Sequence, residues 1–232
     1  MRYHALACDY DGTIAWDGNV SEDTALALEE VRKSGRKLIL VTGRDLGDLI
    51  KVFPRLDLFD LVVAENGALL YRPATREERT LAEAPPVEFW QELIKRGAER
   101  VFVGRVIVVT RRPHETTAVQ VISDMGLELQ VIFNKGAVMI LPSGVNKATG
   151  LSVALAELGL SPQNVVGIGD AENDHTFLAL CRCSVAVENA LDAVKDRVDW
   201  VTKESNGNGT MELCQALIAT DLSFLEDRLR HT

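Results

Sequence analysis

Short apolar runs constrain this chain more than anything else in it. Residues 3–9 (YHALACD), 37–42 (KLILVT), 61–64 (LVVA) and 164–168 (NVVGI) are brief, largely uncharged and bounded by turn residues. Helical patterns separate them. Ser21 is placed to cap a helix through Ser34, with Leu28 and Val31 on its apolar side and Gly35 just past its end. A second helix starts near Asp45. A third covers residues 147–158, aligns Leu151, Leu155 and Leu158, and closes at Gly159. Residues 184–187 (SVAV) read as a further strand. Strands of this length alternating with helices predict a mostly parallel, doubly wound α/β sheet buried on both faces.

The rhythm breaks once, from about Ala68 to Val145. Residues 85–97 predict a helix with Phe89, Trp90, Leu93 and Ile94 on one side, and residues 114–125 predict another that ends at Gly126. Between them lies a β-rich stretch at 101–110. Leu127, Leu129, Val131 and Phe133 alternate onto one face, and residues 137–141 (AVMIL) complete a hairpin. Two helices on a small antiparallel sheet make an α+β insert. The expected organisation is a discontinuous core, residues 1–67 and 146–232, carrying an inserted domain at 68–145.

Charge narrows the partners. The chain has 232 residues and a formal net charge of -9, which disfavours a nucleic acid as a general partner. Residues 69–145 carry ten Lys/Arg and nine Asp/Glu, a net +1, which leaves -10 on the core. Cys8, Cys181, Cys183 and Cys214 are scattered, and Cys181-x-Cys183 has no second pair to make a metal site. A reducing, cytoplasmic setting is expected. No stretch reaches the ~20 apolar residues needed to span a bilayer, so no membrane partner is expected. A homodimer is one assembly the chain could form.

Chemistry-bearing residues fall at the carboxyl ends of the core strands, where open α/β sheets bind ligands. Asp9-Tyr10-Asp11-Gly12-Thr13 ends the first strand. One of its two carboxylates can attack an electrophile while holding a metal, and the other can handle a proton. An EF-hand loop from Asp9 would need Gly at its sixth position and Glu at its twelfth. Ile14 and Val20 stand there. Thr42-Gly43-Arg44 follows the second strand and offers a hydroxyl and backbone N–H groups to an anion. Lys147 opens a helix, where its charge and the helix dipole both favour a phosphate. Gly167-Ile168-Gly169-Asp170-Ala171-Glu172-Asn173-Asp174 could be taken for a dinucleotide turn. Glu172 occupies the place of the third small residue, however, and an acidic turn repels a pyrophosphate. Asp170 and Asp174 instead suit a hard cation such as Mg²⁺.

These motifs together resemble the haloacid dehalogenase superfamily: Asp9-x-Asp11-Gly12-Thr13, Thr42-Gly43-Arg44, Lys147, and Gly169-Asp170-x-x-Asn173-Asp174. An insert between the second and third motifs resembles the C2 cap class and, within it, the Cof-type (subfamily IIB) phosphatases. Glu65-Asn66-Gly67-Ala68 and Val187-Glu188-Asn189-Ala190 are further family-like phrases, with Glu188 standing where relatives often have Gly. The short cap is similar to those of phosphoglycolate and sucrose-phosphate phosphatases.

The resemblance implies a Rossmann-like core with a C2-type cap and a Mg²⁺-dependent phosphatase acting on a small phosphorylated metabolite. Asp9 becomes an aspartyl-phosphate, Asp11 serves as acid and then base, and Thr42 and Lys147 hold the transferring oxygens. Asp9, the Asp11 backbone carbonyl and Asp170 hold Mg²⁺, with Asp174 bound directly or one layer further out. Gly43, Arg44, Asn66 and Asn173 are expected to meet substrate. From the charge of the cap, Lys135 in the turn Asn134-Lys135-Gly136 is expected to reach the leaving group, and Arg105 is a second candidate. A phosphomutase and a regulatory module that binds a phosphorylated ligand without turnover are the competing functions. Ser223 and Glu226 could form a capping box for a last short helix.

Overall fold

A computed structural model describes residues 1–225. The core opens with β1 (Ala5–Cys8), α1 (Glu22–Lys33), β2 (Lys37–Val41), α2 (Leu46–Val52) and β3 (Leu61–Ala64). Ser21 caps α1 as its sequence predicts, accepting from the Thr24 N–H at 3.1 Å. Asp45 does the same for α2 through Asp48 at 2.8 Å.

The change of sequence texture at Ala68 does not coincide with a change of sheet. β4 (Leu69–Arg72) and β5 (Glu77–Thr80) pair antiparallel onto β3 and extend the core before the chain leaves it. β5 (EERT) is exposed throughout, a charged edge strand with no apolar alternation to betray it.

The insert then forms α3 (Val87–Lys95), β6 (Phe102–Val103), β7 (Val108–Arg111), α4 (Glu115–Asp124), β8 (Leu129–Asn134) and β9 (Ala137–Pro142). Its sheet order is β6-β7-β9-β8, antiparallel throughout. Phe89 and Leu93 of α3 and Ala118 and Val121 of α4 pack on Val108, Val138 and Ile140. Ile94, expected on that packed side, is half exposed, because it lies at the edge of a buried stripe centred on Phe89 and Leu93 with Trp90 beside them. The opposite face of the sheet, with Ile107 and Met139, turns toward the core.

The chain returns as α5 (Lys147–Leu158), β10 (Val165–Gly169), α6 (His175–Leu180), β11 (Cys183–Ala186), α7 (Asp192–Lys195), β12 (Trp200–Val201) and α8 (Asn206–Thr220). The core sheet has the order β12-β11-β10-β1-β2-β3-β4-β5, parallel from β12 to β3. The chain runs outward one way through β2 and β3 and the other way through β11 and β12. The topological switch point therefore lies between β1 and β10, beside Asp9 and Asp170. Ser223–Leu225 forms a single 3₁₀ turn, and Glu226 of the expected capping box lies outside the described residues. Among the described residues no helix is long and apolar enough to cross a membrane.

Candidate active site

Strand β1 is buried at every position and delivers Asp9 to the switch point, its N–H donating to the Ile168 carbonyl at 3.0 Å. Gly12 turns the chain immediately afterwards with φ +88°, and a Cβ there would lie 2.7 Å from Lys135 Nζ and 3.0 Å from the Asp170 carboxylate carbon. Only glycine satisfies both the backbone and the space.

Asp9, from the loop after β1, and Asp170 and Asp174, from the loop after β10, converge, all buried, with one carboxylate oxygen of each within 4.8 Å of the others. Lys147 starts α5, behind an Asn146 cap, and is itself buried. Its Nζ donates to Asp9 Oδ1 at 2.5 Å and to Asp174 Oδ1 at 2.6 Å. The other Asp174 oxygen accepts the Asp170 and Ala171 N–H groups, both at 2.8 Å. Thr13 Oγ1 donates to Asp170 Oδ1 at 3.1 Å.

Burial, and after it the charge of Asp174, pushes the Asp9 carboxyl well above the usual carboxylate range, with Lys147 opposing. Asp170 is raised for the same two reasons. Burial works against the Lys147 ammonium, but Asp174 and Asp9 outweigh it and hold the lysine protonated. Three carboxylates thus face two ammonium groups, Lys147 and Lys135. The pocket retains an excess of negative charge and an all-oxygen donor set, which fits a hard divalent cation.

Asp11 sits at the mouth of the site. Arg44 grips both of its oxygens, through Nε at 2.6 Å and an Nη at 2.7 Å, and reaches Asp48 at 2.6 Å with the other Nη. The expected substrate contact at Arg44 is therefore a guanidinium already committed to two carboxylates. Thr42 is buried and its Oγ1 accepts the Arg44 N–H at 3.1 Å, an arrangement that leaves its hydroxyl proton to donate. Gly43 lines the cleft opposite Met139 of the cap. Asn66 and Asn173 do not line it. They are buried beneath the loops and bind each other, Asn173 Nδ2 donating to Asn66 Oδ1 at 2.9 Å.

Lys135, expected at the leaving group, crosses from the cap to pair with Asp170 instead. The turn that carries it has Lys135 at φ +45° and rests its N–H on Glu172 at 3.4 Å. Arg105 points elsewhere, pairing with Glu78 of β5 at 3.2 Å. Glu188 accepts from Ser205 Oγ at 2.6 Å.

The sequence marked Glu65 only as part of a family-like phrase and gave it no role. This fully buried carboxylate accepts three backbone N–H groups of the cap, from Arg105 and Val106 at 2.8 Å and from Ile107 at 2.9 Å. The backbone of the same segment binds the loop after β2: Glu65 N–H to the Arg44 carbonyl and Asn66 N–H to the Thr42 carbonyl, both at 2.9 Å. Gly67 is packed so closely on the Asn146 carbonyl that a Cβ would overlap it. One short segment thus ties the cap to three catalytic loops. The signal available in sequence was a Glu directly after a buried strand, at the point where the core gives way to the insert.

Core and cap enclose a cleft of about 640 Å³ that contains Asp9 and Asp11 on its floor. The profile of the haloacid dehalogenase-like hydrolases matches residues 6–113 and 106–213, and the chain belongs to that family. Its fold, a Rossmannoid core with a cap, is shared with solved structures of that kind. The chain is 29% identical over 216 residues to a phosphoglycolate phosphatase of Methanothermobacter thermautotrophicus, covering 90% of this chain and 96% of that protein. A phosphoglycolate phosphatase of Methanosarcina acetivorans is 26% identical over 94% of this chain and 97% of its own. Among solved structures, a Thermoplasma acidophilum protein superposes with a TM-score of 0.78 at 17% identity, covering 93% of this chain and 98% of its own. A haloacid dehalogenase-like hydrolase of Bacteroides thetaiotaomicron gives 0.76 at 19%, over 93% and 99%.

Proposed function

We propose that this phosphatase hydrolyses a small phosphorylated metabolite, of the size of phosphoglycolate or a sugar phosphate, by way of an aspartyl-phosphate on Asp9 and with Mg²⁺ as cofactor. The observation that carries the reading is the buried Asp9–Lys147–Asp174 cluster at the switch point, with Asp11 two residues from the nucleophile. The names of the archaeal relatives support the size and class of substrate.

Asp9 Oδ attacks phosphorus and the bond to the leaving oxygen breaks. Asp11 gives a proton to that oxygen, then takes one from the water that opens the acyl phosphate, help typically worth ~10²–10⁴ in rate. Arg44 holds both Asp11 oxygens as acceptors, so it must release one of them for Asp11 to carry the proton it gives. Lys147 and the Thr42 hydroxyl supply fixed positive charge and a donor to the transferring oxygens, where preorganised groups act most strongly. Asp9, Asp170 and the Asp11 carbonyl would hold Mg²⁺, while Asp174, whose oxygens go to Lys147 and two backbone N–H groups, braces Asp170 from behind. The metal offsets the repulsion between carboxylate and phosphate dianion as they approach.

The test is release of inorganic phosphate from 4-nitrophenyl phosphate by the whole chain. Activity should disappear in excess chelator and return with Mg²⁺, and rapid acid quenching should trap ³²P on Asp9 from a labelled substrate. Full activity in chelator, or label on another residue, would overturn the metal or the nucleophile respectively.

A further inference from the structure

The roof of the cleft is one face of the cap sheet. Residues two apart along each strand share that face, and the roof follows the rule: Phe102; Ile107, Val109 and Arg111; Ala137 and Met139. Strand pairing sets Phe102 opposite Val109 and Arg111 opposite Ala137. Arg100, two residues before Phe102, and Arg111, two residues after Val109, both line this end of the cleft. Thr110 Oγ1 holds the Glu99 carbonyl at 2.7 Å, so the chain stays alongside β7 there.

Two like charges lining one cleft repel unless an anion lies between them. Arg100 also adopts φ +52°, a conformation that non-glycine residues rarely take and that tends to gather at functional sites. The other cations of the cleft are already neutralised: Lys147 by Asp9 and Asp174, Lys135 by Asp170, Arg44 by Asp11 and Asp48. Arg100 and Arg111 line the same cleft, are exposed, and have no ion-pair partner among the described residues. Small apolar residues, Val109 and Ala137, line the cleft beside Arg111.

We propose that Arg100 and Arg111 form a second anion subsite, so that the leaving group of the substrate itself carries an anionic group, a carboxylate or a second phosphate. The inference rests on the hydrolase reading above and goes beyond it by assigning the residues that select the substrate. Arginine suits the task because its planar fork pairs bidentately with either anion. The apolar row formed by Phe102, Val109 and Met139 covers the carbon skeleton between the two charged ends.

The experiment compares matched substrates with the whole chain and Mg²⁺. Glycerol 3-phosphate against 3-phosphoglycerate differs by a carboxylate, and fructose 6-phosphate against fructose 1,6-bisphosphate by a phosphate. We expect kcat/KM to favour the doubly anionic member of at least one pair tenfold or more, and the pair that responds identifies the anion. Arg100→Gln with Arg111→Gln should reduce that preference at least fivefold, chiefly through KM, and Arg111→Lys should retain more of it than Arg111→Gln. A wild-type enzyme that hydrolyses all four without preference, or a preference untouched by the double substitution, overturns the subsite alone. No phosphate release from any of them or from 4-nitrophenyl phosphate would sink the hydrolase reading, and the subsite with it.

Discussion

The floor and the roof of the cleft are built on opposite plans. The floor hangs from parallel strands buried on both faces, and its charges are interlocked: each oxygen of Asp174 and each of Asp11 has a named partner. The roof is an antiparallel sheet with helices on one face only, and its cleft face mixes apolar side chains with two arginines that have no ion-pair partner among the described residues. A reaction common to all phosphate monoesters needs preorganised groups, which a buried, fully hydrogen-bonded frame supplies. Choice among leaving groups needs a face whose side chains are still free to bind. The difference teaches that chemistry and selection sit on separate sheets, joined mainly through the carboxylate of Glu65 and the reach of Lys135.

That division can be broken by experiment. Asp9→Asn removes the proposed nucleophile from the floor and should lower kcat on the order of 10³-fold or more for every substrate, with an unchanged circular dichroism spectrum. Retention of more than a few per cent of turnover would remove Asp9 from the chemistry. Asp11→Asn should cost ~10²–10⁴ in kcat, again regardless of leaving group. A loss confined to substrates with poor leaving groups would sharpen its role to that of the acid alone, and no loss at all would end the assignment.

A smaller effect is expected one layer behind the metal site. Asp174→Asn keeps the size but weakens the bracing of Asp170, and the Mg²⁺ concentration giving half-maximal activity should rise ~10–100-fold. Asp170→Asn should raise it further. If the order is reversed in titrations of the two variants, Asp174 is the direct ligand and Asp170 the brace.

Glu65→Gln tests the joint between the sheets. An amide cannot accept from all three cap N–H groups, so about 1–2 kcal/mol of stability should go, a fall of roughly 3–6 °C in Tm for a chain of this size. If Glu65 also positions the roof, KM for a substrate with a large leaving group should rise more than KM for 4-nitrophenyl phosphate. Equal changes on both would leave Glu65 a purely stabilising residue. The smallest effect concerns the thiols. All four cysteines are buried, and burial pushes Cys183 and Cys214 up to about 12 and raises Cys8 and Cys181 as well. A thiol reagent should label none of them in the native enzyme within minutes, and all four after unfolding. Rapid native labelling would show that the β10–β11 side of the core opens.

Much of the floor was legible in advance. The apolar runs end where the chemistry begins, so Asp9, Thr42 and Asp170 could be assigned to strand ends by position alone. Elements without an apolar pattern escaped notice. The charged edge strand β5 and the two-residue β12 carry too little pattern, and Asn206-Gly207-Asn208-Gly209 disguises the start of α8 as a turn. Site residues that depend on long-range pairing were harder still. Nothing near Arg44 in sequence announces that Asp11, 33 positions away, takes its guanidinium. Lys135 was rightly expected to cross the cleft, but that it meets Asp170 rather than the space for a leaving group depends on how far the β8–β9 turn reaches.

By itself, then, the amino-acid order determined the apolar strands and the carboxylates at their ends. Local hydrophobic period and turn chemistry act over a few residues, and a strand's end is where its side chains leave the sheet. Tertiary structure decided which of those charges are paired and which stay free. Pairing depends on distances between segments far apart in the chain, and the same lysine or arginine is a brace or a binding group according to whether a carboxylate from another loop arrives beside it. Arg44 acquired two such partners, and Arg100 and Arg111 acquired none among the described residues, and no local pattern could have told them apart.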